Sequence, residues 1–163
     1  MDNELSEYFD TEEPKKTETV KKDPFSAMII KYRGTRSTVT LEIKSNVELM
    51  ASMKGLKEVQ VKMLSLRQRL LEDNHMLLEN LSTFKKKYRD ERAKQMEQLS
   101  TNLQHRYQYN EKTVIIDGKT ANVKEIVDAI ENQISFFVDS IKTVDNVLYG
   151  IKTRVEIEKT LGM

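Results

Sequence analysis

The densest chemical signal in the chain lies at residues 85–94. Lys85-Lys-Lys-Tyr-Arg-Asp-Glu-Arg-Ala-Lys94 sets six cations against two acids. Lys85, Lys86, Lys87, Arg89, Arg92 and Lys94 offer the dense positive charge that a phosphate backbone requires. Tyr88 stands among them, and an aromatic ring gives an unpaired base a face to stack on. Cations around an aromatic platform suit single-stranded nucleic acid. Arg106, Tyr107 and Tyr109 repeat the mixture more thinly, as do Lys31, Tyr32, Arg33 and Arg36. The competing reading is a solvated helix face, in which Lys86 with Asp90 and Lys87 with Glu91 close i,i+4 ion pairs.

Other chemistries find little support. The chain has two histidines, His75 and His105, thirty positions apart and outside any His-Glu-x-x-His pattern. It has no cysteine, which excludes disulfides and thiolate zinc sites. No glycine-rich phosphate loop and no Gly-x-Ser-x-Gly elbow occurs. Acids are plentiful, but nothing singles one out as a general acid or base. The expectation is a non-enzymatic protein without catalytic residues, metal or cofactor.

The elements that would carry the basic stretch follow from composition and spacing. The 163 residues suit one domain. A third are charged and 38% are hydrophobic, a balance that favours long helices over a compact globule. No apolar run approaches the roughly 20 residues of a membrane span. The start, Met1-Asp-Asn-Glu, lacks the basic and apolar regions of a signal peptide. A soluble, cytoplasmic protein is expected.

Residues 1–24 hold eight acids and four lysines and show no sustained period, which predicts a disordered acidic tail. Residues 25–163 then form a helical oligomerisation and binding domain. Thr38-Val-Thr-Leu-Glu-Ile43 alternates like a half-buried strand, with Val39, Leu41 and Ile43 on one face. It could pair with Ala27-Met-Ile-Ile-Lys-Tyr32 across Arg33-Gly34-Thr35 as a small hairpin; an early start to the first helix is the rival. Ser45-Asn-Val-Glu48 has capping-box spacing. From there to about Tyr107 no proline intervenes, and Met50, Met53, Leu56, Val59, Met63, Leu66, Leu70, Leu77, Leu81 and Phe84 trace a coiled-coil seam with Asn74 in its gap. Gly55 reads as a weak point in that helix, costing ~1 kcal/mol against Ala.

Asp117-Gly118, between short β-prone runs, predicts a second hairpin with a type I′ turn, and Asn122 then offers an N-cap. The final helix carries the most regular pattern. Ile130, Ile134, Phe137, Ile141, Val144, Leu148, Ile151 and Val155 alternate spacings of four and three, a heptad seam that suits an oligomer interface. The expected fold is therefore mainly α: two long amphipathic helices in an antiparallel helical hairpin or coiled coil, one or two small β-hairpins, and a homo-oligomeric assembly.

The C-terminal helix also carries a resemblance. The segment from Ile130 to Lys159, with Val144-Asp-Asn-Val-Leu-Tyr-Gly-Ile-Lys-Thr-Arg154 at its heart, resembles the last helix of the UvsY-type recombination mediators of T4-like phages. Those proteins carry a long amphipathic helix with an Ile-Lys-x-Arg element, matched here by Ile151, Lys152 and Arg154. Their upstream helix has a stretch rich in lysine, arginine and tyrosine, for which residues 85–94 are the counterpart in order and composition. The resemblance implies a ring-like homo-oligomer in the host cytoplasm that binds single-stranded DNA. It also implies two protein partners, a RecA-like recombinase that the mediator helps to load and the single-strand-binding protein that covers the DNA. The rival is a structural or scaffolding coiled coil, such as a phage assembly chaperone, with no nucleic-acid binding.

Overall fold

The computed structural model describes residues 24–102 and 106–162, and every element among them is helical. Helix α1 spans Pro24–Glu48, α2 spans Met53–Ser100 and α3 spans Tyr109–Thr160, with a short 3-10 turn at Leu49–Ala51 between the first two. The mainly helical class matches the expectation. The number and bounds of the helices do not, because there are three and the two β-hairpins are replaced by helix. The expected acidic tail lies outside the described residues apart from Pro24, which opens α1.

Pro24 occupies the first helical position, where a missing N–H costs nothing. The segment expected as a strand is helical because its apolar residues also satisfy a helical stripe. Tyr32, Val39 and Ile43 are seven and four apart, and they pack on the main core. Leu41, expected beside Val39 and Ile43 on a strand face, is instead 63% exposed. The threonines that raised the β signal bond back along the helix, Thr35 Oγ1 to the Lys31 carbonyl and Thr38 Oγ1 to the Gly34 carbonyl, both at 3.0 Å. Side-chain burial has overridden local β propensity here.

The capping box expected at Ser45 and Glu48 does not form. Ser45 Oγ donates to the Glu42 carbonyl inside α1. The chain leaves the helix at the 3-10 turn, and Ser52 in an extended conformation caps α2, its Oγ accepting the Gly55 N–H at 3.2 Å. This break divides the helix expected to run unbroken from Ser45 to about Tyr107. It also explains Gly55: a Cβ there would stand 2.4 Å from the Leu49 carbonyl oxygen.

The Asp117-Gly118 turn is likewise absent. Both residues lie within α3, and Gly118 does not take the positive φ a type I′ turn needs. Ile116 and Thr120 are buried, on the same helical face as Val127 and Ile130. The helical register of the C-terminal seam therefore continues upstream through the expected hairpin. α3 starts at Tyr109 with a capping box, in which the Gln108 N–H donates to Glu111 Oε2 at 2.9 Å. Asn122, expected as the N-cap, sits mid-helix and exposed.

α2 and α3 run antiparallel along their lengths. Arg67 pairs with Asp145 at 2.6 Å, Lys85 with Glu131 at 2.7 Å and Lys112 donates to Ser100 at 3.2 Å. α1 lies on one side of this pair, antiparallel to α2 and parallel to α3. Glu42 meets Arg69, Arg36 meets Gln133, and the Met50 carbonyl accepts from Arg154. The core joins Leu56, Val59, Met63, Leu66, Leu70 and Leu77 of α2 to Ile130, Phe137, Val144 and Ile151 of α3, with Val39 from α1. Beyond the start of α1 the pair continues as a two-helix arm, held by Leu99, Ile116 and Thr120. No helix among the described residues is long and apolar enough to cross a membrane.

Candidate nucleic-acid interface

The basic stretch lies on the second half of α2 at the base of this arm: Lys85, paired with Glu131, is level with the first turns of α1, which pack beside Ala129 and Asn132, and only its last residues run beyond the start of α1. Two of its cations have intrachain partners. Lys85 pairs with Glu131, and Arg92 pairs with Asp117. Arg92 also donates to the Tyr88 hydroxyl at 3.0 Å and stacks over the Tyr88 ring, 5.6 Å from its centroid. These bonds, first to Tyr88 and then to Asp117, hold the Arg92 guanidinium above its ordinary pKa, so it stays cationic throughout.

Lys86, Lys87, Arg89 and Lys94 are exposed. None of the four has an ion-pair partner among the described residues, and the i,i+4 pairs of a solvated face do not form at Lys86 or Lys87. Glu91, the expected partner of Lys87, instead accepts a bond from Gln95 at 2.9 Å. Tyr88 is half-buried, with one ring face taken by Arg92. A stacking base would use the other face or displace Arg92.

Sequence reasoning missed the contribution of α3. A groove of about 620 Å³ runs between α2 and α3 where the arm leaves the bundle, on a side that α1 does not line. Leu78, Leu81 and Val127 give it apolar walls, and Lys85, Arg89 and Lys124 line it with cations. Asp128 is the carboxylate among its lining residues. Lys124 carried no signal of its own, because only the α2–α3 register places it opposite Tyr88.

The thinner basic-aromatic clusters are divided. Arg36 Nε donates to the buried Gln133 Oε1 at 2.8 Å, and its guanidinium sits 5.7 Å from the Phe136 ring centroid. Tyr32 is half-buried between α1 and the pair, and burial raises its phenol pKa. These two side chains fasten α1, whereas Lys31 and Arg33 are exposed. Arg106 and Tyr109 are exposed near the α2–α3 connection, and Tyr107 is half-buried there.

The heptad seam of α3 is also divided. Ile130, Phe137, Val144 and Ile151 are buried in the intrachain core, while Ile134, Ile141, Leu148 and Val155 are half-buried at its margin. The Arg67–Asp145 rung brings Leu148, Ile141 and Ile134 level with Leu64, Leu71 and Leu78 of α2, on the side away from α1. Leu64 is 51% and Leu78 43% exposed, while Leu71, Ile134, Ile141 and Leu148 are half-buried, so the row presents a partly exposed apolar strip in the single chain.

His75 is exposed on α2, and His105 lies outside the described residues. Among the described residues no group of three or more His, Cys, Asp or Glu side chains is placed to hold a metal ion. No family model matches the chain, and comparison with curated proteins and with solved structures gives no match.

Proposed function

We propose that this chain is a non-enzymatic accessory protein that binds single-stranded DNA along α2 at the base of its two-helix arm and self-associates through the apolar row of its bundle. The observation that carries the reading is the set of four exposed cations, Lys86, Lys87, Arg89 and Lys94, that have no ion-pair partner among the described residues and stand beside a groove that adds Lys124. Cations held by carboxylates contribute little to an anion's binding; these are free to replace the counterions of a phosphate backbone. The resemblance of the C-terminal helix to recombination mediators extends the reading to loading a RecA-like recombinase.

Fluorescence anisotropy with a labelled single-stranded oligonucleotide tests the first step. The chain should bind at low salt, and Lys86→Glu, Lys87→Glu and Arg89→Glu together should abolish binding while leaving the helical circular-dichroism signal unchanged. Equal affinity in the triple variant would refute the assignment of the site.

The double row of Leu64, Leu71 and Leu78 with Ile134, Ile141 and Leu148 favours a second reading, a scaffold or assembly chaperone without nucleic-acid affinity. Both readings use the row for self-association, and only the first predicts DNA binding.

A further inference from the structure

The groove of the arm carries more than phosphate binding would need. A backbone of phosphates uses only the cations Lys85, Arg89 and Lys124, and leaves unused the apolar wall made by exposed Leu78 and half-buried Leu81 above buried Val127. Apolar walls beside cations suit a peptide that alternates large apolar residues with carboxylates. The chain contains such a peptide. Residues 1–14 hold the six acids Asp2, Glu4, Glu7, Asp10, Glu12 and Glu13 and no lysine, arginine or histidine. Leu5, Tyr8 and Phe9 are spaced i, i+3 and i+4, the spacing at which side chains can share one face of a helical turn.

We propose that residues 2–13 dock in the arm groove of their own chain, with Leu5, Tyr8 and Phe9 against its apolar walls and their flanking carboxylates against Lys85, Arg89 and Lys124. The connection is long enough. Ile29 lies beside Ala129 and Asn132, so α1, running parallel to α3, begins near the level of Lys124. The groove opens at that level on the far side of the pair, and a path around one or two helices of ~10 Å diameter is roughly 20 Å. Residues 14–23, fully extended, span up to ~33 Å. Tethering also places the segment at an effective concentration in the millimolar range, which favours it over a free acidic peptide or the segment of a second copy. The groove cations then face two competing anions, and the acidic segment restrains nucleic acid. This last consequence rests on the function proposed above; the docking does not.

Because the chain has no cysteine, disulfide trapping in the full-length protein reports the contact directly. Ser82 lines the groove, Ser6 lies between Leu5 and Glu7, and Ser37 is an exposed residue of α1. Under a mild oxidant at low protein concentration, the pair Ser6→Cys and Ser82→Cys should close an intrachain disulfide about tenfold faster than Ser6→Cys and Ser37→Cys, as a local rise in effective concentration requires. Adding Tyr8→Ser and Phe9→Ser, which keep the charge, should remove that advantage. So should adding Glu4→Gln, Glu7→Gln and Asp10→Asn. Equal rates in the two pairs, or disulfide-linked dimers in place of the intrachain bond, would overturn the docking whatever the chain does with DNA. Fast trapping in a chain that binds no oligonucleotide would uphold the docking and count against the function. Fast trapping, with oligonucleotide affinity raised by the three neutralising substitutions, is the outcome expected if both hold.

Discussion

Gly55 and Gly118 both lie in helices, yet their surroundings give opposite expectations for the same substitution. The Leu49 carbonyl lies where a Cβ of Gly55 would go, whereas nothing stands within 4 Å of one at Gly118. Gly55→Ala should therefore lower the unfolding free energy by ~1–3 kcal/mol through overpacking at the α1–α2 turn. Gly118→Ala should raise it by about 0.5–1 kcal/mol, because alanine is the better helix former. Urea titration of both variants checks this, and a destabilising Gly118→Ala would restore the turn that Asp117-Gly118 suggests. A second residue-scale test concerns Gln133, only 1% exposed, whose Nε2 has no hydrogen-bond partner among the described residues and whose Oε1 depends on Arg36. Arg36→Ala leaves the whole amide unpaired and should cost ~1–3 kcal/mol, while Gln133→Leu removes the unpaired groups and should be close to neutral. Tyr32 supplies a pH signature. Its folded pKa is raised by burial, so its contribution is fully present below the ordinary phenol value and is lost as pH rises through the folded value. The alkaline fall in stability above about pH 10 should be shallower in Tyr32→Phe than in the parent.

At the scale of elements, what was legible was spacing and what was not was pairing. The alternation from Ile130 to Val155 announced α3 because a heptad stripe has one stable use, burial against other helices. The upstream half of α3 was hidden by Asp117-Gly118, a strong local turn signal that yields to Ile116, Thr120 and Val127 continuing the buried face. α1 was hidden in the same way by Val39, Leu41 and Ile43, whose alternation fits a strand while only Val39 and Ile43 are used by the helix. The capping box that starts α3 uses Gln108 at the N-cap, a residue type that gives a weaker sequence signal there than the asparagine at 122. Of the candidate site, the cations and Tyr88 could be named from residue type alone. Lys124 and the groove depend on a register between α2 and α3 that sequence spacing does not contain. The open row on the bundle belongs to this scale too. Leu64, 51% exposed and outside the groove, isolates the proposed subunit contact: Leu64→Asp should reduce the assembly to single chains in sedimentation velocity without loss of helicity.

The whole molecule divides its labour along its length. One end is a three-helix bundle with a continuous apolar core, the other is a two-helix arm of α2 and α3, and the exposed cations Lys86, Lys87 and Arg89 stand where the two meet. A net charge of only +1 conceals this separation. An assembly built through the bundle would gather several arms, and linked weak sites bind one strand with far greater avidity than each alone. Whether Lys86, Lys87, Arg89 and Lys94, unpaired among the described residues, hold a phosphate backbone is tested most directly by the salt dependence of single-stranded DNA binding. For single strands the slope of log K against log salt is about −0.7 per phosphate neutralised, so these four cations predict roughly −3 per chain, and reversal of Lys86, Lys87 and Arg89 should leave no measurable binding, or at most the slope of about −0.7 that Lys94 alone supports. A salt-independent affinity, or a steep slope unchanged by the reversals, would contradict it.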